Sequence, residues 1–171
     1  MKPRAALLLA IIFGAAALRL LPHPSNFTPI GALALFAGAQ FDDKRWAFIV
    51  PLAAMFLSDI LIGFHSGMPI VYAAFAAIVC MGFLLKEKKK ALRVTGASLT
   101  AATFFFIVSN FAVWAFDGLY PMTLQGLATC YVAAIPFFQN WLTGTLFYSA
   151  VLFGGFALLE AKLPVLAEVR S

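Results

Sequence analysis

Arg19, Asp59, Asn110 and Asn140 are polar side chains set within, or at the ends of, long apolar runs, and Asn26 stands in a proline-rich break between two such runs. Ionisable and amide groups are costly in apolar surroundings, so each must pair, reach water or serve a bound molecule. Their chemistry is recognition rather than catalysis. A guanidinium, a carboxylate and carboxamides can hold a small polar ligand by hydrogen bonds, and nearby aromatic rings can stack on it. Asn110 and Trp114 are four residues apart and share a helix face, which Phe106 continues. Tyr72 and Tyr120 fall at corresponding ends of their apolar runs. Aromatic walls with a few convergent polar groups are the usual lining of a small-molecule site.

Other uses of the same residues stay open. Arg19 can reach the lipid headgroups by its long stem or pair with Asp59; Asp59 is too short to reach far. Trp114 and Tyr120 suit an interfacial aromatic belt, and Asn110 suits a bridge between helices. No HExxH, GxSxG or assembled Ser/His/Asp set is present, so the expectation is a protein that is not an enzyme. There is no Walker lysine motif, so the chain cannot hydrolyse nucleotide by itself. His23 and His65 lie in different connections without metal-ligand spacing, and Cys80 and Cys130 form no CxxC pair, so neither metal nor cofactor is expected.

The elements that must position these groups are apolar helices. The chain has 171 residues, 63% hydrophobic and 11% charged, with nineteen Phe against seven acidic residues. Soluble domains are far more charged, so an integral membrane protein is expected. Apolar runs cover residues 5–21, 27–41, 46–64, 69–85, 94–116 and 136–160. At about 20 residues per crossing they read as six transmembrane helices, the second short and irregular at its start. Residues 117–135 are long for a connection and partly apolar, and read as an outer loop or re-entrant lid within one transmembrane domain spanning residues 1–171.

Charge sets the orientation. Lys2 and Arg4 precede the first run, Lys44 and Arg45 separate the second and third, and Lys86, Lys88, Lys89, Lys90 and Arg93 lie between the fourth and fifth. Lys162 and Arg170 follow the sixth, whereas residues 23–26, 65–68 and 117–135 contain no Lys or Arg. Every second connection is basic, which puts both termini in the cytoplasm. The basic patch is short and lacks interleaved aromatics, so nucleic acid is not an expected partner. A cleaved leader would loosely fit the first segment, but its removal would leave five spans and break the alternation. On this orientation the polar side chains named above all fall in the outer half.

Ala6, Ala10 and Gly14 repeat every four residues on the first helix, and Ala34 and Gly38 do so on the second. Such small-residue faces let helices approach closely, either within the bundle or against a separate membrane subunit.

The stretches LLPHPSNFTPIGALALFAGA, PLAAMFLSDILIGFH and SNFAVWAFDGLYPMTLQGLATCYVAAIPFFQN resemble a family of uncharacterised bacterial six-helix membrane proteins labelled only as transport proteins. That family in turn resembles the substrate-binding S components of energy-coupling factor (ECF) vitamin transporters. The resemblance implies an all-α, S-component-like bundle in the bacterial inner membrane, with a ligand pocket near the outer face. It further implies a transmembrane coupling subunit, with its ATPases, docked on Ala6, Ala10 and Gly14. There is no amino-terminal Met-His of the nickel and cobalt members, and no signature naming a particular vitamin. The expected substrate-binding residues are Arg19 and Asn26 as caps, Asp59 and Asn110 as hydrogen-bonding groups, and Trp114 and Tyr120 as stacking partners, with Tyr72 and Asn140 beside them. The expected function is substrate binding for import of a small vitamin-like molecule; the alternative is a structural or assembly membrane protein with no substrate of its own.

Overall fold

A computed structural model describes residues 3–64, 66–163 and 166. Lys2, His65 and Arg170 lie outside the described residues. The described residues form helices and no strands: α1 (Pro3–Ala17, extended by a 3₁₀ turn Leu18–Leu20), α2 (Ile30–Gln40), α3 (Lys44–Ile62), α4 (Met68–Phe83), α5 (Ala91–Phe116) and α6 (Leu124–Lys162). Four helical segments, Pro3–Leu20, α3, α5 and α6, are long and apolar enough to cross a membrane, while α2 and α4 are shorter apolar helices. Leu57, Leu61, Ile107, Phe111, Phe147 and Val151 lie exposed on the flanks of the bundle. Large apolar side chains facing outward on several helices suit a hydrocarbon solvent rather than water.

The short helix is the axle of the bundle. Every residue of α2 from Ile30 to Gln40 is buried, as a helix apolar on all sides must be. It packs on α1, α3, α4, α5 and α6. Gly38 of α2 and Gly82 of α4 make the closest approach. A Cβ added at Gly38 would lie 2.2 Å from the Val79 carbonyl oxygen, and one added at Gly82 would lie 2.4 Å from that of Leu35. The small residues of α2 therefore serve internal packing. On its other side Phe36 meets Phe153 and Phe156 edge-on, with centroids 5.3 and 5.5 Å away.

Helix ends follow local chemistry. Asp43 caps α3 by accepting from the Arg45 N–H at 2.8 Å, and Gly63, at φ 112°, ends it in a backbone region that favours glycine. Thr123 caps α6, its hydroxyl accepting from Gly126 N–H at 3.0 Å. That cap changes the expected loop over 117–135: only residues 117–123 connect α5 to α6, and the chain is helical from Leu124 onward. Pro136 lies inside this helix without breaking it, although it has no N–H to offer the carbonyl of Val132. At 39 residues, α6 is about 58 Å long, nearly twice the ~30 Å hydrocarbon core of a bilayer. The extra length pairs with the end of α5: Tyr131 OH donates to Ile107 O at 2.6 Å and Cys130 Sγ to Asn110 O at 3.4 Å.

The bundle has chemically distinct ends. At one, Arg4 forms an ion pair with Glu160 and donates to Gln40 Oε1 at 3.0 Å, an oxygen that also accepts from Lys89 at 2.8 Å. Lys44, Arg45 and the basic α4–α5 connection sit at this basic end. The other end carries the connections around residues 21–29, 63–67 and 117–123, where Ser66 donates to Asp117 at 3.3 Å.

Candidate functional site

Two separate polar groupings occupy the end opposite the basic one. The first lies where the 3₁₀ turn after α1 meets α3 and α4. Arg19 Nη1 donates to Asp59 Oδ1 at 2.7 Å and also to the Ser58 hydroxyl. Tyr72 OH donates to Asp59 Oδ2 at 2.7 Å, and the Ser58 hydroxyl in turn donates to Met55 O at 2.7 Å. The ion pair is largely covered, with side-chain exposures of 18% for Arg19 and 8% for Asp59. Both carboxylate oxygens thus have protein donors. This arrangement joins three helices by polar side chains.

The second grouping surrounds a cavity of about 240 Å³ lined by Asn26, Ser109, Asn110 and aromatic side chains of α5 and α6. Its floor is Trp141, 6% exposed, whose ring lies against Phe105 with centroids 4.4 Å apart. Phe106 and Phe138, 4.5 Å between centroids, form another part of the wall. Asn110 Nδ2 donates to Phe106 O at 2.8 Å, which holds the carboxamide in place at the cavity wall.

The connection 21–29 supplies the remaining side. Its prolines, Pro22, Pro24 and Pro29, keep it out of helix. Phe27 N–H donates to Pro24 O at 2.9 Å and Thr28 N–H to Asn26 O at 3.0 Å. Asn26 takes φ 65°, a left-handed conformation that Asn tolerates better than most side chains. Phe27 inserts against Phe147 and Tyr148, 5.9 and 5.7 Å between centroids. Gly144 permits this, since a Cβ there would stand 3.2 Å from the Phe27 Cα. Asn140 Nδ2 then donates to Ser25 O at 3.0 Å. The segment is laid along α6, and Asn26 is presented to the cavity.

Asn26 and Asn110 are therefore brought to one cavity, while the other expected site residues fall elsewhere. Arg19 and Tyr72 both bond to Asp59. Asn140 secures the segment bearing Asn26. Trp114 Nε1 donates to Pro121 O at 2.9 Å and so fixes the α5–α6 turn, and Tyr120 lies in that turn, away from the cavity lining. On α1, Ala10 and Gly14 are exposed and Ala6 is half-buried; nothing stands within 4 Å of a Cβ built at Gly14. Unlike that of α2, the small-residue stripe of α1 is left uncovered over Ala10 and Gly14.

Phe105, Ser109, Ala134, Phe137, Phe138 and Trp141 complete the lining without having been singled out in the sequence. The spacing 134, 137, 138, 141 marks one face of a helix, but only for a helix that runs through Pro136. Two buried polar atoms on α6, Trp141 Nε1 and Thr145 Oγ1, have no hydrogen-bond partner. Thr145 stands one turn from Trp141, and both meet Gly31 of α2, where an added Cβ would lie 2.9 Å from each side chain. Leaving a buried hydroxyl unpaired is costly, so Thr145→Val is expected to raise stability by about 1 kcal/mol. Thermal unfolding in detergent measures this; a drop of similar size would reveal a partner for the hydroxyl.

Comparison with known proteins places one result beside this geometry. The model of DUF6580, a family of unknown function, matches residues 1–166. No curated protein and no solved structure matches the chain.

Proposed function

The chain belongs to the DUF6580 family of unknown function, and from that premise we propose that it is a multi-pass membrane protein that binds a small molecule for uptake. All six helices cross or enter the bilayer, both termini face the cytoplasm, and the cavity opens toward the outside of the bacterial inner membrane. The alternation of basic connections supports this orientation, and the gathering of Arg4, Lys44, Lys86 and Lys89 at one end agrees with it. The protein acts as the substrate-binding subunit of an energy-coupling-factor-type importer, in keeping with its resemblance to S components. A separate coupling subunit, bearing the ATPases, docks on the uncovered Ala10 and Gly14 face of α1.

One observation carries the reading: the aromatic cavity of about 240 Å³ into which two carboxamides from distant segments, Asn26 and Asn110, converge. Its size and walls suit a compact, planar, vitamin-like molecule that stacks on Trp141 or Phe105 and accepts or donates hydrogen bonds at its rim. Arg19, Asp59 and Tyr72 tie together the turn after α1, α3 and α4, and Asn140 holds the segment bearing Asn26.

Mass spectrometry of the purified protein for co-bound small molecules, followed by thermal-shift titration of a vitamin panel, tests the proposal. Asn110→Ala is expected to weaken ligand binding about three- to tenfold, the value of one lost neutral hydrogen bond. Protein that carries no small molecule and gains no stability from the panel would overturn the import reading. The second reading, a structural membrane protein without a substrate, is favoured by the bonding of both Asp59 carboxylate oxygens to protein donors. It requires Asn110→Ala to alter stability alone.

A further inference from the structure

The basic end contains a concavity of about 450 Å³ lined by Lys44, Lys86, Lys88 and Arg93, with Glu87 as the acidic side chain of the lining. Its charges are incompletely used. Lys86 meets Asp42 at 3.4 Å, but both side chains are well exposed, at 36% and 73%, so this contact contributes little. Lys44 stands over the Phe83 ring, 5.8 Å from its centroid. Lys88 and Arg93 side chains have no ion pair or hydrogen bond among the described residues. Arg93 belongs to the first turn of α5, where the N-cap residue Lys90 offers no side-chain cap. The Arg93 N–H is already bonded to Lys90 O at 2.9 Å, so the side chains rather than the helix amides give the concavity its preference for anions.

Apolar groups stand at its edge. Leu84, part of the lining, is 79% exposed, and Leu92, one residue before Arg93, is 85% exposed. Water is a poor solvent for such a pair, but lipid chains are not. Cations converging on a hollow with leucines beside it match the two parts of one molecule, a phosphate and its acyl chains.

The geometry points to a binding site for the phosphate headgroup of an anionic phospholipid in this concavity, with Lys88 and Arg93 as the principal contacts. The inference rests on the membrane-spanning reading but not on the import reading. A neutral, zwitterionic lipid places a choline beside its phosphate and would set that cation against Lys44 and Lys86, so the site discriminates by net charge. Anionic headgroups attract each surface Lys or Arg by about the same increment, so the loss of two contacts has a multiplicative effect.

Native mass spectrometry of the full chain, released from nanodiscs containing equal phosphatidylglycerol and phosphatidylcholine, provides the test. Wild-type protein is expected to retain phosphatidylglycerol selectively. The double variant Lys88→Gln/Arg93→Gln is expected to lose that preference roughly thirtyfold, whereas Lys162→Gln, outside the concavity, keeps it. Both altered residues are exposed, and a thermal-unfolding check on each variant confirms that folding is intact. Equal retention of the two lipids, or unchanged preference in the folded double variant, would overturn the assignment. So would binding of inorganic phosphate without any lipid preference, which would identify a soluble phosphate as the occupant. Carbonate extraction of membranes tests the spanning itself: release of the chain would sink the premise rather than the site.

Discussion

Asp59→Ala lowers the stability of the folded chain by about 3–5 kcal/mol, the usual consequence of removing one member of a buried ion pair. The origin lies in what remains. Arg19 keeps its charge where its side chain is only 18% exposed, and Tyr72 loses the acceptor that its hydroxyl reaches at 2.7 Å. Asp59→Asn restores an acceptor but not the charge, so it falls between wild type and the alanine variant. The double variant Arg19→Met/Asp59→Leu recovers most of the loss, because it removes both charges and fills their space with apolar atoms. Unfolding in detergent, followed by circular dichroism across the four proteins, reads these differences. A loss under ~1 kcal/mol for Asp59→Ala would mean that the pair is effectively solvated, as exposed pairs are. The same variants bear on function: if Asp59→Asn still folds and binds ligand as wild type does, the carboxylate is a structural group and not a ligand contact.

Gly38→Ala is the second large effect, and its cause is steric. The added methyl would sit 2.2 Å from Val79 O and 2.9 Å from Gly82 Cα. Both obstacles are backbone, so no side chain can turn aside and α2 must separate from α4. Overpacking of this kind costs about 1–3 kcal/mol, and the upper end applies where main chain must move. Gly96→Ala supplies the contrast. Gly96 lies in α5 with nothing within 4 Å of its added Cβ, so alanine there gains up to about 1 kcal/mol in helix propensity. The same chemical change is thus expected to have opposite signs at the two positions, as measured by detergent unfolding midpoints. Equal effects would show that the α2–α4 contact is looser than its geometry implies.

Much of the helical framework is legible in the sequence because apolar length and turn chemistry are local properties. The breaks at Pro22–Pro29, Asp42–Asp43 and Lys86–Lys90 all separate helices in the structure, and α3 stops at Ile62, two residues before the expected end of its run. The helix across 124–135 is harder to anticipate. Pro136 and the turn residues Asp117, Gly118 and Pro121 suggest a longer interruption, yet Thr123 supplies a cap and pairing with α5 compensates for the proline. That extension moves Ala134 and Phe137 into line with Trp141 and helps form the cavity. Asn26 and Asn110 announce themselves as amides in apolar surroundings, whereas Phe105 and Phe138 resemble any of the nineteen Phe in the chain. Which face each ring takes depends on tertiary packing, and composition carries no record of it. For Asp59 the sequence marks an unusual residue, but only the distances to Arg19 and Tyr72 reveal that both its oxygens have protein donors.

The burial of α2 on every side also governs the order in which the chain can be built. Its 11 residues extend about 16 Å, roughly half the thickness of a bilayer's hydrocarbon core. Alone in lipid it would leave the polar groups of its flanking connections at membrane depth, where unsatisfied backbone is costly. Its partners include α6, which begins at Leu124, about half the chain length after Gln40, so its lodging is a long-range event and correspondingly slow. Gln40 makes the dependence visible, since its side chain accepts from Arg4 near the start of the chain and from Lys89 near its middle. The enclosure of α2 is therefore complete only when elements from both halves of the chain, α1 and α3 as well as α4, α5 and α6, have packed around it.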